Sequence, residues 1–314
     1  MATNCMEPEH KTQTNTGSGC EGPYAPERPY DPYTPQAAYW ARQYTTQDPI
    51  TVPIHDIWTE SSLSAYVVGD GGTIMLWLNG MVTMTSGTTH NLYTIWGSGA
   101  GGIFAAGDAG TILHYDVNGW IPMESPTASA LRDLWSVPGE DVFAVGDGGT
   151  ILRYKDKVWT PMTSGVTANL HAVWGTSTQN VYAVGDGGTV LRYSGLSWQE
   201  LDPGTERDLL GVWVDPGGSV AVVGRNGTFL THTSDWKAIP LPAAGDLVDV
   251  WGTSFGDLHL VSASSLFHLG VRTVEEMTVT GSVTGSLTAI NGKTGSNVMA
   301  VSEDGSIYKY YPSK

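Results

Sequence analysis

Long apolar runs are missing from this sequence, and nowhere do apolar residues approach the roughly 18 consecutive positions that a membrane-crossing helix needs. Heptad patterns are missing as well, which excludes a coiled coil. Cysteine is scarce: Cys5 and Cys20 are the only two, both near the N-terminus, so the remaining chain holds no disulfide and no cysteine metal site. Neither follows an apolar stretch, and Met1 opens a polar segment, so the chain shows no signal peptide. Basic residues are few, with 15 Lys and Arg against 31 Asp and Glu, for a formal net charge of −16. A surface this acidic repels phosphate backbones, which argues against a nucleic-acid ligand.

What the chain has in quantity is glycine, with 40 residues, together with Thr, Val, Tyr and Trp. That mixture suits many short strands joined by tight turns and is poor for helices. The 314 residues could make two or three ordinary domains, but all-β closed folds often run this long as one.

Residues 1–37 differ from the rest. Six prolines and almost no aliphatic residues leave this segment unable to bury a core of its own. Pro23, Pro26, Pro29, Pro32 and Pro35 keep a spacing of three, with Tyr24, Tyr30 and Tyr33 beside them. That period favours an extended polyproline II arm, either a spacer or a contact laid across a partner or a neighbouring subunit.

From residue 38 onward one pattern dominates. Its clearest copy is Leu170–Gly175, then Asn180–Tyr193, then Trp198. The leading tryptophan recurs at Trp58, Trp96, Trp135, Trp174, Trp213 and Trp251, with Asn291 in the seventh place, at steps of 38, 39, 39, 39, 38 and 40 residues. Such regularity is the mark of a repeat architecture. Each copy reads as four short strands: Leu-x-x-Val-Trp, the Val-Tyr-Ala-Val type, Thr-Ile-Leu-Arg-Tyr, and a fourth beginning at Trp159 or Trp198, with Gly-Asp-Gly-Gly supplying a tight turn between the second and third. Four antiparallel strands per unit of about 39 residues make a propeller blade. The expectation is an all-β, seven-bladed β-propeller over 38–314. The seventh copy lacks its fourth strand, and Trp40 precedes Trp58 by 18 residues, so residues 38–44 are expected to supply the missing strand and close the ring.

At its Val-Gly-Asp-Gly-Gly-Thr-Ile-Leu-Arg-Tyr…Trp stretches the sequence resembles bacterial propellers of the photosystem II stability/assembly-factor and BNR (sialidase-type) repeat group. It looks closest to the secreted or lipid-anchored propellers common in deltaproteobacteria. The resemblance covers residues 54–314 and is specific for fold, not for function. It implies a bacterial envelope or extracellular location. The Asp box of sialidases is degenerate here, in Tyr154–Trp159 and Tyr193–Trp198, and no triple-arginine cluster can be assembled. The arginine-rich patch of the assembly factors is likewise not evident. Neither activity carries over.

The candidate binding residues lie on one rim and in the channel. Gly-Asp turns place Asp70, Asp108, Asp147 and Asp186 on four successive blades; blade five has Arg225 instead, and blade six drops the motif at Ser262. A carboxylate arc could coordinate Ca²⁺, whereas the turn-forming habit of Asp before Gly accounts for it with no cofactor. The second positions of the first strands are His55, Tyr93, Arg132, His171, Leu210, Val248 and Thr288, and the third are Asp56, Thr94, Asp133, Ala172, Gly211, Asp249 and Ala289. His55 with Asp56, or Arg132 with Asp133, would serve acid–base chemistry only if they converged, and adjacent strand residues point oppositely. No histidine metal spacing, nucleophile elbow or phosphate loop is present, and no catalytic residue is nominated. The twelve tryptophans could be a lectin's stacking rings, but eleven sit at or near fixed repeat positions, as an inter-blade core would require. The reading is a non-enzymatic binding or scaffolding propeller that takes a protein partner, or its own subunits, through one rim. A glycan-binding lectin is the alternative and a degenerate glycoside hydrolase the third.

Overall fold

The computed structural model describes residues 37–43, 50–78, 80–98, 102–116, 118–139, 141–241, 245–270, 274–280 and 282–313. The N-terminal arm, with Tyr24, Tyr30 and Tyr33, lies outside the described residues. The repeats fold into seven sheets, six of them antiparallel with four strands in sequence order. Blade four shows the plan: an inner strand Leu170–Ser177, then Asn180–Gly185, Val190–Tyr193 and the outer strand Trp198–Leu201. A lone blade exposes two apolar faces, and neighbouring blades cover them. The outer-strand tryptophan packs on the tyrosine paired with it on the third strand: Tyr115 on Trp120, Tyr154 on Trp159 and Tyr193 on Trp198, with ring centroids 5.1, 5.2 and 5.3 Å apart.

The seventh blade is completed from the other end of the chain. Tyr39–Gln43 pairs antiparallel with Ile307–Tyr311, with Trp40 opposite Tyr310, repeating the Trp-on-Tyr contact at 5.5 Å. Trp40 is fully buried. This blade carries a fifth strand that the repeat does not anticipate: Val279–Thr280, in the connection from blade six, runs parallel to the closing strand on its outer side. The Trp40 amide donates to the Thr278 carbonyl at 3.0 Å. A closing strand taken from outside the repeat would otherwise present an unpaired edge, and the connection covers it.

The rim turn between the second and third strands is one short 3₁₀ turn, seen at residues 70–72, 108–110, 147–149, 186–188 and 225–227. Its glycines are demanded by close packing. A Cβ on Gly149, whose φ is +69°, would stand 2.1 Å from the Val166 carbonyl oxygen. The middle position is open and accepts Ala109 in blade two and Asn226 in blade five, both at positive φ. Blade five makes the same turn with Arg225 in place of aspartate. The aspartate is therefore not what forms the turn, contrary to the turn-forming role assigned to it from the sequence.

Every inner strand is bulged at its second position. In blade three Leu131 faces Gly146 and Asp133 faces Val145, so Arg132 is the extra residue. The same shift occurs at 54/56, 92/94, 170/172, 209/211, 247/249 and 287/289. A bulge bends the strand and re-aims side chains. Strict alternation, expected from the sequence, fails here: His55 and Asp56 are both half-buried between the buried Ile54 and Ile57. Among the described residues no helix is long and apolar enough to cross a membrane.

Candidate functional site

The bulge gives the second and third positions of each inner strand different tasks. The second-position side chain reaches the rim turn of its own blade, 15 residues on. His55 Nε2 lies 2.7 Å from Asp70 Oδ1, and His171 Nε2 lies 2.5 Å from Asp186 Oδ1. Arg132 donates from Nε and Nη2 to the two oxygens of Asp147, each at 2.8 Å, which is the bidentate geometry a planar guanidinium favours. The Arg132 pair holds the Asp147 carboxyl below the usual carboxylate range. Burial first, then the neighbouring Asp108 carboxylate, raises the Tyr93 phenol.

The side chains of the first three blades touch one another. The His55 and Tyr93 ring centroids are 5.2 Å apart, and the Arg132 guanidinium lies 4.6 Å from the Tyr93 ring centroid, within cation–π range. Neighbouring blades also lock one another's turns. Asn91 Oδ1 accepts from the Gly71 amide, Asn169 Oδ1 from Gly148, and Asp208 Oδ1 from Gly187. His55, Asp70, Tyr93, Asp108, Arg132, Asp147, His171 and Asp186 thus sit on the one rim where the repeat places them, about one-third exposed at the three ion pairs. The arc ends at blade five. There Leu210 offers nothing to Arg225, which turns to Asp208 at 3.2 Å and Asp246 at 2.8 Å instead. Asp70, Asp147 and Asp186 are thus each engaged by a side chain of their own blade.

The third positions act in the channel. Inner strands present a free backbone edge there, and buried amides need acceptors. Asp56 accepts from Ile57 in its own blade at 2.7 Å and from Ile95 in the next at 2.8 Å. Asp133 does the same for Leu134 and Val173, both at 2.7 Å, and Asp249 for Val250 and Ile290 at 2.7 and 2.9 Å. Thr94 Oγ1 accepts from the Leu134 amide. These residues staple blade to blade. Burial raises the carboxyls of Asp56 to about 6 and Asp249 to about 7, and lifts Asp133 well above the ordinary value. His55 and Asp56 serve different partners, as do Arg132 and Asp133, and neither pair forms an acid–base couple.

The other mouth of the channel has a different chemistry, which the repeat alone did not reveal. Trp58, Trp96, Trp174, Trp213 and Trp251, with Asn291 and Lys293, line a cavity of about 470 Å³. Trp58 lies against Gly97, Trp135 against Gly175 and Trp251 against Gly292 of the following blades. Trp96 and Trp174, followed by blades with Ser136 and Val214 at that place, meet each other edge-to-face at 5.2 Å. The sequence signal was present for three of these indoles: a glycine follows the next blade's tryptophan position at Gly97 and Gly175, and stands at the matching Gly292.

No family model and no curated protein matches the chain. Solved structures match its fold. A structure of YCF48 bound to D1 peptide superposes with a TM-score of 0.71 at 16% identity, covering 91% of this chain and 99% of that one. A catalytically inactive virginiamycin B lyase from Staphylococcus aureus with quinupristin gives 0.75 at 14% identity, over 87% and 99% of the two chains. The WD40 propeller domain of Doa1 gives 0.73 at 11% identity, over 87% and 97%. At these identities the likeness is one of fold.

Proposed function

We propose that the protein is a non-enzymatic binding propeller that engages a protein partner through the rim of blades one to four. The observation that carries this is the rim arc of His55, Tyr93, Arg132 and His171, three of them oriented by the aspartate of their own blade and Tyr93 set between His55 and Arg132. A side chain fixed in advance loses less entropy when a ligand arrives. The pairs also balance charge locally, which suits the mixed donors and acceptors of an extended peptide. A fold neighbour solved with a bound peptide supports the same use of the scaffold, and favours the assembly-factor side of the sequence resemblance over the sialidase side. On this reading the protein works in the bacterial envelope or exterior, and the arm with Tyr24, Tyr30 and Tyr33 adds a second contact to the partner or to a neighbouring subunit.

Selection from a displayed peptide library against the whole chain tests the proposal, with Arg132→Ala and His171→Ala proteins as counter-targets. Enriched peptides should lose about tenfold or more in affinity on the variants, the cost of about 1.4 kcal/mol. Peptides that bind wild type and both variants alike would sink the rim as the site. Deleting residues 1–36 should weaken capture of the partner so identified; an unchanged affinity would reduce the arm to a spacer.

The tryptophan-lined mouth favours one second reading, a glycan-binding propeller, because Trp58, Trp96 and Trp174, half-buried around the cavity, offer stacking faces. Glycan-array binding abolished by Trp174→Ala and untouched by Arg132→Ala would move the function to that mouth.

A further inference from the structure

Blade six departs from the repeat at one point in its interior. Where blades one to four carry Tyr66, Phe104, Phe143 and Tyr182 opposite the leading tryptophan, blade six carries His259. In blade three, Arg153 lies across the strand from Phe143 and pairs with Asp141, an ordinary cross-strand ion pair over an aromatic ring. Blade six keeps the acid as Asp257 but has His268 in place of the arginine and His259 in place of the ring. His268 Nε2 lies 2.9 Å from Asp257 Oδ1, which reproduces the ion pair. His259 is what that pair does not explain. It is fully buried, and neither of its ring nitrogens has a hydrogen-bond partner among the described residues. Its Nε2 stands 3.6 Å from the same Asp257 oxygen, too far for a hydrogen bond. An imidazole without partners is a costly substitute for a phenyl ring in a packed interior.

We propose that Asp257, His259 and His268 form a binding site for a divalent transition-metal ion of the zinc class. One ligand atom from each lies within 4.8 Å of the others, so small side-chain rotations bring all three to the 2.0–2.2 Å bond lengths typical of zinc. Two imidazoles and one carboxylate are a donor set that zinc accepts, and that calcium and magnesium, which seek all-oxygen shells, do not. Asp257 and His268 are about one-quarter exposed and open a way in from solvent, while His259 forms the floor. Thr253 Oγ1 donates to the second Asp257 oxygen at 2.5 Å and so orients the carboxylate from outside, as second-shell groups do. Water would complete the shell. The site lies against the closing strand: the Trp40 and Tyr310 rings meet His259 edge-on at 5.7 and 4.5 Å. A bound ion would therefore brace the seam where the ring closes.

The test uses the full chain with Cys5→Ser and Cys20→Ser, to silence thiols that take zinc anywhere. After chelator treatment, Zn²⁺ is titrated calorimetrically and Co²⁺ by visible absorption. One equivalent should bind, with the intense ligand-field bands of four-coordinate cobalt, a raised thermal midpoint and a change in tryptophan emission through Trp40. His259→Phe restores the residue type of blades two and three, so it should fold, yet bind Zn²⁺ about 100-fold more weakly or worse. His268→Gln should do the same. Absence of stoichiometric Zn²⁺, or binding unchanged in both variants, would overturn the proposal.

Discussion

The two parts of this ring are held by different means. In blades one, three and four the inner strand is tied to its own rim turn by a polar pair, and asparagine or aspartate side chains tie the same turns to the following blade. In blades five to seven, the second positions are Leu210, Val248 and Thr288, the 3₁₀ turn ends with blade five, and a single large apolar cluster runs from Trp213 through Trp251 to Tyr308, Tyr310 and Trp40. Between the earlier blades the apolar clusters are smaller, each covering one seam. The difference separates geometry from chemistry. The same turn persists into blade five without its aspartate, so the turn does not require the aspartate side chain, which in blades one, three and four serves a side-chain partner instead.

If the later blades depend on apolar closure, the largest effect should come from Trp40. Its side chain is fully buried in that cluster and its indole nitrogen has no partner to lose, so Trp40→Ala measures packing alone. Denaturant unfolding should show a loss of about 3 to 5 kcal/mol. Asp147→Asn on the rim breaks a pair one-third exposed and should cost less than about 1 kcal/mol. Equal losses in the two variants would dissolve the distinction between the two parts.

The next prediction separates turn from side chain within one blade. Gly149→Ala drives a Cβ into the Val166 carbonyl at positive φ and should cost about 2 to 4 kcal/mol. Gly148→Ala meets nothing, and blade two already holds Ala109 there, so about 1 kcal/mol is expected. Peptide affinity at the rim should follow the opposite order, falling with Asp147→Asn and holding with Gly148→Ala.

The channel carboxyls staple neighbouring blades within each part, Asp56 in the first and Asp249 in the second, and predict a pH dependence. Unfolded aspartates titrate near 4, whereas burial holds Asp56 at about 6 and Asp249 at about 7. Between those values the folded state keeps protons the unfolded chain has released, so stability falls as pH rises from 4 to 7. Each carboxyl contributes roughly 1 to 3 kcal/mol, reduced where channel water screens it. His259, held below its ordinary value by burial, acts in the opposite sense below 6.5. Comparing wild type with Asp249→Asn cancels that effect: the variant should lose stability less steeply over this range. Parallel curves would show that Asp249 titrates normally.

Much of the fold was legible because the ring repeats. Tryptophans at steps of 38 to 40 residues gave the blade count and the strand register, and the missing fourth strand of the last copy pointed to Trp40. The rim residues were legible as positions, but not as pairs. The partnership of residue n with residue n + 15 depends on the bulge at every inner strand, and a bulge leaves no composition signal when Leu, His, Arg and Tyr all occupy it. The short strand Val279–Thr280 was hidden for another reason: it lies outside the repeat and forms only because the closing edge needs covering. His259 could have been found by asking which copy breaks the aromatic column at that position, whereas the search for close histidine spacing passed over it.

The smallest effect sharpens the comparison most. Blade five has the turn but not the pair, so Leu210→Arg with Arg225→Asp should convert it to the pattern of blade three, where Arg132 and Asp147 hold the same places. The graft gains a bidentate pair, but it removes Arg225 from Asp208 and Asp246. Asp208 still receives the Gly187 amide and Asp246 the Asn226 amide, so neither is left without a donor. The net change in stability should stay within about 1 kcal/mol, as for exposed pairs generally. Binding is where the graft becomes informative. A peptide that runs along the arc should gain contacts when the arc extends by one blade, and the gain should vanish when Arg132→Ala interrupts the arc behind it. A peptide seated on one pair alone would not register the graft, which would confine the site to a single blade.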